Sequence, residues 1–339
     1  MPDGQNSQGW TDPVWQGQAH AWIRTTLEQQ GTPVIGEIEQ PYLRPWSTVM
    51  HVPTSQGRVY FKACDPHSSY EPALTQALHQ WRPDCMVRVL AVNLEQAWML
   101  MADEGEMLRL RVNGPQDLWH WEHLMPVFAR VQIEMIERRD ELLRLGVFDR
   151  RLERLPAMFT QLLADREVMR IGREDGLSEA QYARLQNFAP QYADMCRRLA
   201  GYPIPDSLHH DDFHNSNVFV CDERYAFSDW GESCLSHPFF SIIITLRNIA
   251  DRLGLPDEVG ITPESLTPGL NHLRDLYLEP WTRFAPSSVL QEVFPLAWRV
   301  GMVNRAISWY QSLKLLDAPT REEYAYTVPA WLGEFLQTV

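Results

Sequence analysis

Leu208-His209-His210-Asp211-Asp212-Phe213-His214-Asn215-Ser216-Asn217-Val218-Phe219-Val220-Cys221 runs into Asp222-Glu223-Arg224 and then into Tyr225-Ala226-Phe227-Ser228-Asp229-Trp230-Gly231. Two apolar runs around a short polar turn predict a β-hairpin. Asn217 stands just before the first arm and Asp229 just after the second. Each arm is about four residues, roughly 13 Å at the usual rise per residue. Both positions therefore emerge at the open end, with backbones ~5 Å apart. An amide oxygen and a carboxylate so placed suit Mg²⁺, which takes hard oxygen ligands and commonly only one or two from the protein. Asp212 lies upstream on the same loop, placed to accept a proton from a hydroxyl facing a metal-bound nucleotide. That division of labour is what phosphoryl transfer needs.

Working outward, the texture of the chain changes once. Thr11-Asp12-Pro13 starts a helix over residues 14–30 that Gly31 stops, with Trp15, Ala19, Trp22, Ile23 and Leu27 at helical spacing. Strand-like runs follow at 48–52, 58–63, 87–92 and 98–101, with a helix at 70–81 among them and a hairpin turn at 54–57. After Asp103-Glu104-Gly105 the pattern is mostly helical: 118–145, with Pro126 as a candidate kink, then 151–170, 178–199, 239–253, 270–284 and 289–315. A strand-rich first third before a helical remainder predicts an α+β chain of two lobes, divided as 1–102 and 103–339.

Composition bounds the partners. The 339 residues carry 44 acidic and 30 basic side chains, a net charge of −14. Such a field repels nucleic-acid phosphates, and it attracts cationic substrates where the acids line a cleft. No apolar run approaches the ~20 residues of a membrane-spanning helix. The polar N-terminus lacks the order of a signal peptide, so the expected location is cytoplasmic, with neither nucleic acid nor membrane as a partner. The five cysteines are scattered without a C-x-x-C pair, which speaks against a disulfide framework or zinc site.

The loop His210-x-Asp212-x4-Asn217, followed by Asp229-Trp230-Gly231, resembles that of the aminoglycoside phosphotransferase and choline kinase family, relatives of the protein kinases. The resemblance implies a two-lobed protein-kinase-like fold, with a small antiparallel-sheet lobe and a larger, mainly helical one. It implies Asp212 as catalytic base, Asn217 and Asp229 as Mg²⁺ ligands, and His210 as scaffold of the loop. His209 and His214 read as structural or solvent-facing. Val59-Tyr60-Phe61-Lys62 ends a strand and resembles the kinase segment that brings a lysine to the phosphates, with Glu71 as its partner. Lys62 and Lys314 are the chain's two lysines, and a lysine here fits a compact point charge for phosphate. Residues 99–103, Met101 and Asp103 among them, then form the hinge that meets the adenine.

The chain also departs from that pattern. Residues 41–47 hold no glycine where protein kinases use a glycine-rich cover. The stretch either cradles phosphate through Ser47 and backbone N–H groups, with Arg44 adding charge, or is a plain connection. Tyr60 replaces a small residue on the strand face it shares with Lys62, and Asp211 stands where the family commonly has glycine. For the acceptor, Glu232 and Asp251 are candidate acids and Trp281 a candidate aromatic face. The expected function is transfer of the γ-phosphoryl group of ATP, or GTP in its place, to a hydroxyl of a small and potentially cationic molecule, such as an aminoglycoside, amino-sugar or choline-like alcohol. The alternative is a degenerate kinase fold that acts as a nucleotide-binding or interaction module.

Overall fold

The computed structural model describes residues 9–222, 224–254 and 261–339. The polar stretch before Gly9 and the turn residue Glu223 lie outside them. The chain packs as two compact units. The first comprises the chain up to Leu108, Asn217–Gly231 and Leu315–Thr320; the second comprises Arg109–Ser216, Glu232–Lys314 and Arg321–Val339. In space the grouping is thus not a single cut at 102/103.

In the first unit, helix α1 (Pro13–Gln29) starts where the Asp12 carboxylate accepts the N–H groups of Val14 and Trp15 at 2.8 and 3.0 Å, satisfying two donors that a helix start leaves open. It is followed by strands β1 (Glu39–Leu43), β2 (Ser47–Thr54) and β3 (Gly57–Cys64), helix α2 (Glu71–Trp81), and strands β4 (Val89–Asn93) and β5 (Trp98–Ala102). The strands form one antiparallel sheet in the order β1-β2-β3-β5-β4. Trp15, Ala19, Ile23 and Leu27 on one stripe of α1 pack with Met50, Val52, Val59, Phe61, Ala63, Trp98 and Leu100 of the sheet. Each large apolar side chain so buried contributes about 1.5–3 kcal/mol. The alternation that sends Val59, Phe61 and Ala63 into this core sends Tyr60 and Lys62 to the other face, where register sets them beside Met101 and Met99.

The hairpin forms as expected, with arms Val218–Cys221 and Arg224–Phe227 in antiparallel register. It belongs to the first unit for visible reasons. The short strand Glu106–Met107 pairs with its first arm. The Arg224 guanidinium binds the carbonyls of Pro83 and Met86 at 3.1 and 2.7 Å and the Glu104 carboxylate. Gly105, at φ 89°, lies so close that a Cβ there would come within 2.4 Å of the Val220 carbonyl oxygen.

The second unit holds α3 (Trp119–Met135), α4 (Arg139–Arg144), α5 (Leu155–Ala164), α6 (Glu179–Ala200), α7 (Ser241–Arg252), α8 (Pro268–Leu278), α9 (Ser287–Leu313), α10 (Ala318–Tyr324, from Arg321 onward in this unit) and α11 (Thr327–Gln337). The helix expected over 118–145 is in fact two. Pro126 sits inside α3, and the break falls at the 3-10 turn Ile136–Arg138, where Arg138 (φ −106°, ψ 13°) leaves the helical region. The stretch expected at 151–170 shrinks to α5, which ends where Asp165 turns to ψ 84°. The stretch expected at 270–284 passes into a 3-10 turn at Glu279–Arg283, where Pro280 has no N–H to continue the α pattern. Among the described residues no helix is long and apolar enough to cross a membrane.

Candidate active site

Within the first unit, Lys62 is the centre of a charged cluster. Its Nζ donates to Glu71 Oε1 at 2.7 Å and to Asp229 Oδ1 at 2.6 Å. Lys62 and Glu71 are buried, whereas half of the Asp229 side chain is exposed. Burial lowers the lysine's pKa; the Asp229 and Glu71 charges outweigh it and hold the pKa well above the ordinary value. Glu71 Oε1 also accepts the N–H of Trp230 at 3.1 Å, and its Oε2 accepts the Cys64 thiol at 3.2 Å. The Tyr70 hydroxyl donates to the Gly231 carbonyl at 2.8 Å. The Asp-Trp-Gly segment therefore lies on the start of α2, and a Cβ on Gly231 would come within 2.8 Å of Glu71 Oε2. A side chain there would have to push the Glu71 carboxylate from its partners.

Asn217 and Asp229 sit at the open end of the hairpin, where the Asn217 carbonyl accepts both the N–H and the hydroxyl of Ser228, at 3.0 and 3.1 Å. Asp229 adopts φ 63°, a left-handed conformation that aspartate tolerates better than most residues. Among the described residues no group of three or more His, Cys, Asp or Glu side chains converges as a metal cage. A half-exposed carboxylate with a neighbouring amide fits Mg²⁺, which draws its remaining ligands from water and phosphates.

The second unit contains Asp212 and a larger cluster. His210 is fully enclosed; its Nδ1 accepts the Asp212 N–H at 3.4 Å and its ring packs on Phe213. Asp212 Oδ1 accepts from Arg305 Nη2 at 3.1 Å, and Oδ2 lies 3.2 Å from His214 Nε2. His214 Nδ1 accepts the Ser216 N–H at 3.1 Å, so the imidazole proton sits on Nε2 and points at Asp212. Burial works against the Asp212 charge, but Arg305 and the His214 hydrogen bond outweigh it and hold the carboxyl at about 2. Asp211, at φ 63° in the position commonly held by glycine, is buried between His209 Nε2 at 3.0 Å and Arg150 Nη1 at 3.3 Å. Its charge is kept against burial by Arg305, His209 and Arg150, well below the usual carboxylate range. Glu232 pairs with Arg305 Nη1. Burial, with the Asp212 and Asp211 charges beside it, nevertheless pushes Glu232 up to about 7.

The remaining expected residues fall as follows. Residues 41–43 are strand rather than loop, and the glycine-free connection reduces to 44–46, closed by the Arg44 N–H on the Ser47 carbonyl at 2.9 Å. Ser47 opens β2 opposite Cys64. Met101 pairs with Tyr60, whose ring meets the His51 edge at 5.1 Å. Asp103 accepts the Gly105 N–H at 3.0 Å. Asp251 is exposed in the last turn of α7. Trp281 is fully buried, with Phe239, Tyr277 and Phe284 at 5.5, 6.4 and 5.7 Å; an enclosed indole offers no face to a ligand and packs the core instead. Arg305 and Arg150 were not singled out from sequence, and His214, read as structural or solvent-facing, bonds directly to Asp212.

No family model matches this chain and no curated protein matches it. Solved structures do. An ethanolamine kinase of Plasmodium vivax superposes with a TM-score of 0.60 at 12% identity, over 94% of this chain and 90% of that one. A choline kinase of Cryptosporidium parvum Iowa II gives 0.58 at 12% identity, over 89% and 88%. The GDP complex of aminoglycoside 2'-phosphotransferase-IIIa gives 0.54 at 11% identity, over 95% and 99%. At such identities the likeness is one of fold. The chain has the protein-kinase-like fold of these small-molecule phosphotransferases, and the resemblance read from its loop and hairpin holds at that level.

Proposed function

We propose that the chain is a phosphotransferase that moves the γ-phosphoryl group of ATP to a hydroxyl of a small molecule. The observation that carries this reading is Lys62, buried yet charged, with its Nζ between Glu71 at 2.7 Å and Asp229 at 2.6 Å. A lysine tied both to a helix glutamate and to the aspartate after the hairpin is the arrangement phosphoryl transfer uses to hold nucleotide phosphates. Asn217 and Asp229 would hold Mg²⁺, which when bound neutralises charge on the phosphate oxygens. Asp212, ionised throughout the neutral range, accepts the proton of the acceptor hydroxyl. His214 keeps its carboxylate oriented, and His210 holds the backbone at Asp212. The structural neighbours are named for ethanolamine, choline and an aminoglycoside, which supports a small hydroxyl compound as the acceptor class.

ATP hydrolysis without added acceptor tests this reading at the lowest level. A slow release of phosphate that depends on Mg²⁺ and on Asp229 is expected. No release and no Mg²⁺-dependent binding of ATP would leave the chain a degenerate kinase fold.

A further inference from the structure

Arg305 makes the contacts that a bound cation would make among acids and an aromatic face. Its Nη2 lies 3.1 Å from Asp212 Oδ1, and its Nη1 binds Glu232 and lies 3.7 Å from Asp211 Oδ2. Its Cζ stands over the Trp309 ring at 5.5 Å, and that ring stacks on Tyr324 at 6.2 Å. Guanidinium is the cation best suited to paired carboxylates and an aromatic face at once. Its Nε is enclosed without a hydrogen-bond partner, so the pairing rests on the two terminal nitrogens.

Pairing decides what this arrangement admits. Arg305 reaches Asp211, Asp212 and Glu232, and Arg150 adds a second guanidinium to Asp211, so each of the three carboxylates already has a cation from within the chain. A second cation entering beside Asp212 would meet acids that are already paired, and would have to displace a guanidinium that belongs to α9. A neutral compound meets no such competition.

We propose that Arg305 is a specificity-determining residue: it fills the cation position beside Asp212 from within the chain, and so selects a neutral hydroxyl compound as acceptor over an amine or quaternary ammonium. The proposal rests on the phosphotransfer reading. It departs from the sequence expectation of a cationic acceptor, which rests on the net charge of the whole chain and not on the pairing at this place.

The test reads binding, so it does not depend on turnover. Wild type, Arg305→Gln and the charge-retaining Arg305→Lys are melted with and without methylguanidinium chloride, against matched sodium chloride. Arg305→Gln is expected to gain on the order of 2 °C or more from methylguanidinium, the other two nothing. An equal response of wild type and Arg305→Gln overturns the proposal. Should Arg305→Gln not fold, wild type decides: melted with choline chloride against matched sodium chloride it is expected to gain nothing, its cation position being filled, and a gain overturns the proposal. Mg²⁺-dependent ATP hydrolysis is followed alongside, and its absence counts against the phosphotransfer reading alone.

Discussion

Two charged clusters in this molecule are built on opposite plans. In the first unit a single buried lysine serves two carboxylates, one of them half-exposed. In the second, two arginines serve three carboxylates, and the arginine that touches the candidate base comes from α9, 93 residues beyond Asp212. Lys62 holds a site whose outer acid remains accessible to a ligand. Arg305 closes a site by satisfying its acids from within. Each cluster holds one acid more than it has permanent cations, and what differs is how far those acids are already taken.

The largest effect is expected where the accessible carboxylate is removed. Asp229→Ala should abolish the Mg²⁺-dependent stabilisation by ATP, read by thermal shift with and without the metal, while Glu232→Gln in the other cluster leaves that stabilisation in place. Loss in both variants would mean that the two clusters do not divide the work in this way.

A smaller, structural effect separates them next. Glu71→Ala leaves buried Lys62 with one carboxylate and the Trp230 N–H without its acceptor, which should cost ~3 kcal/mol in urea unfolding, as for a broken buried ion pair. A change near zero would show that Asp229 alone satisfies the lysine.

The smallest effect is one of pH. Glu232 is pushed up to about 7 in the folded chain from an ordinary 4.5. The folded state therefore holds a proton that the unfolded state has released, and stability falls as pH rises from about 4.5 through 7. Asp212, held at about 2, acts with the opposite sign: its contribution is complete above the ordinary carboxylate pKa of ~4 and is lost as pH falls from there toward about 2. Melting temperature against pH should flatten between 4.5 and 7 in Glu232→Gln. An unchanged slope would place that titration elsewhere.

The first cluster was legible in the sequence because each member belongs to a local pattern. Lys62 ends a strand, Glu71 opens a helix and Asp229 follows a hairpin, so the resemblance of these short segments to those of the kinases could single them out. Arg305 carries no such mark. It lies within a long apolar helix, and only the packing of α9 brings it to Asp212. His214 was visible but ambiguous, since a loop histidine becomes a ligand of its neighbour only once the Ser216 N–H settles its tautomer. Strand β1 was hidden by Pro41, which an edge strand tolerates. Helix α11 was missed although Val328, Leu332, Phe335 and Leu336 keep helical spacing and are buried. Trp281 shows the converse: aromatic character suggested a ligand face, and tertiary packing made it core.

The most direct measurement is the turnover of Asp212→Ala with Mg²⁺ and ATP, followed together with its affinity for the nucleotide. If Asp212 is the base, turnover drops by about 10²–10⁴ while nucleotide binding is largely retained. Turnover equal to wild type would contradict the assignment of Asp212 and, with it, the reading of this loop as the catalytic one.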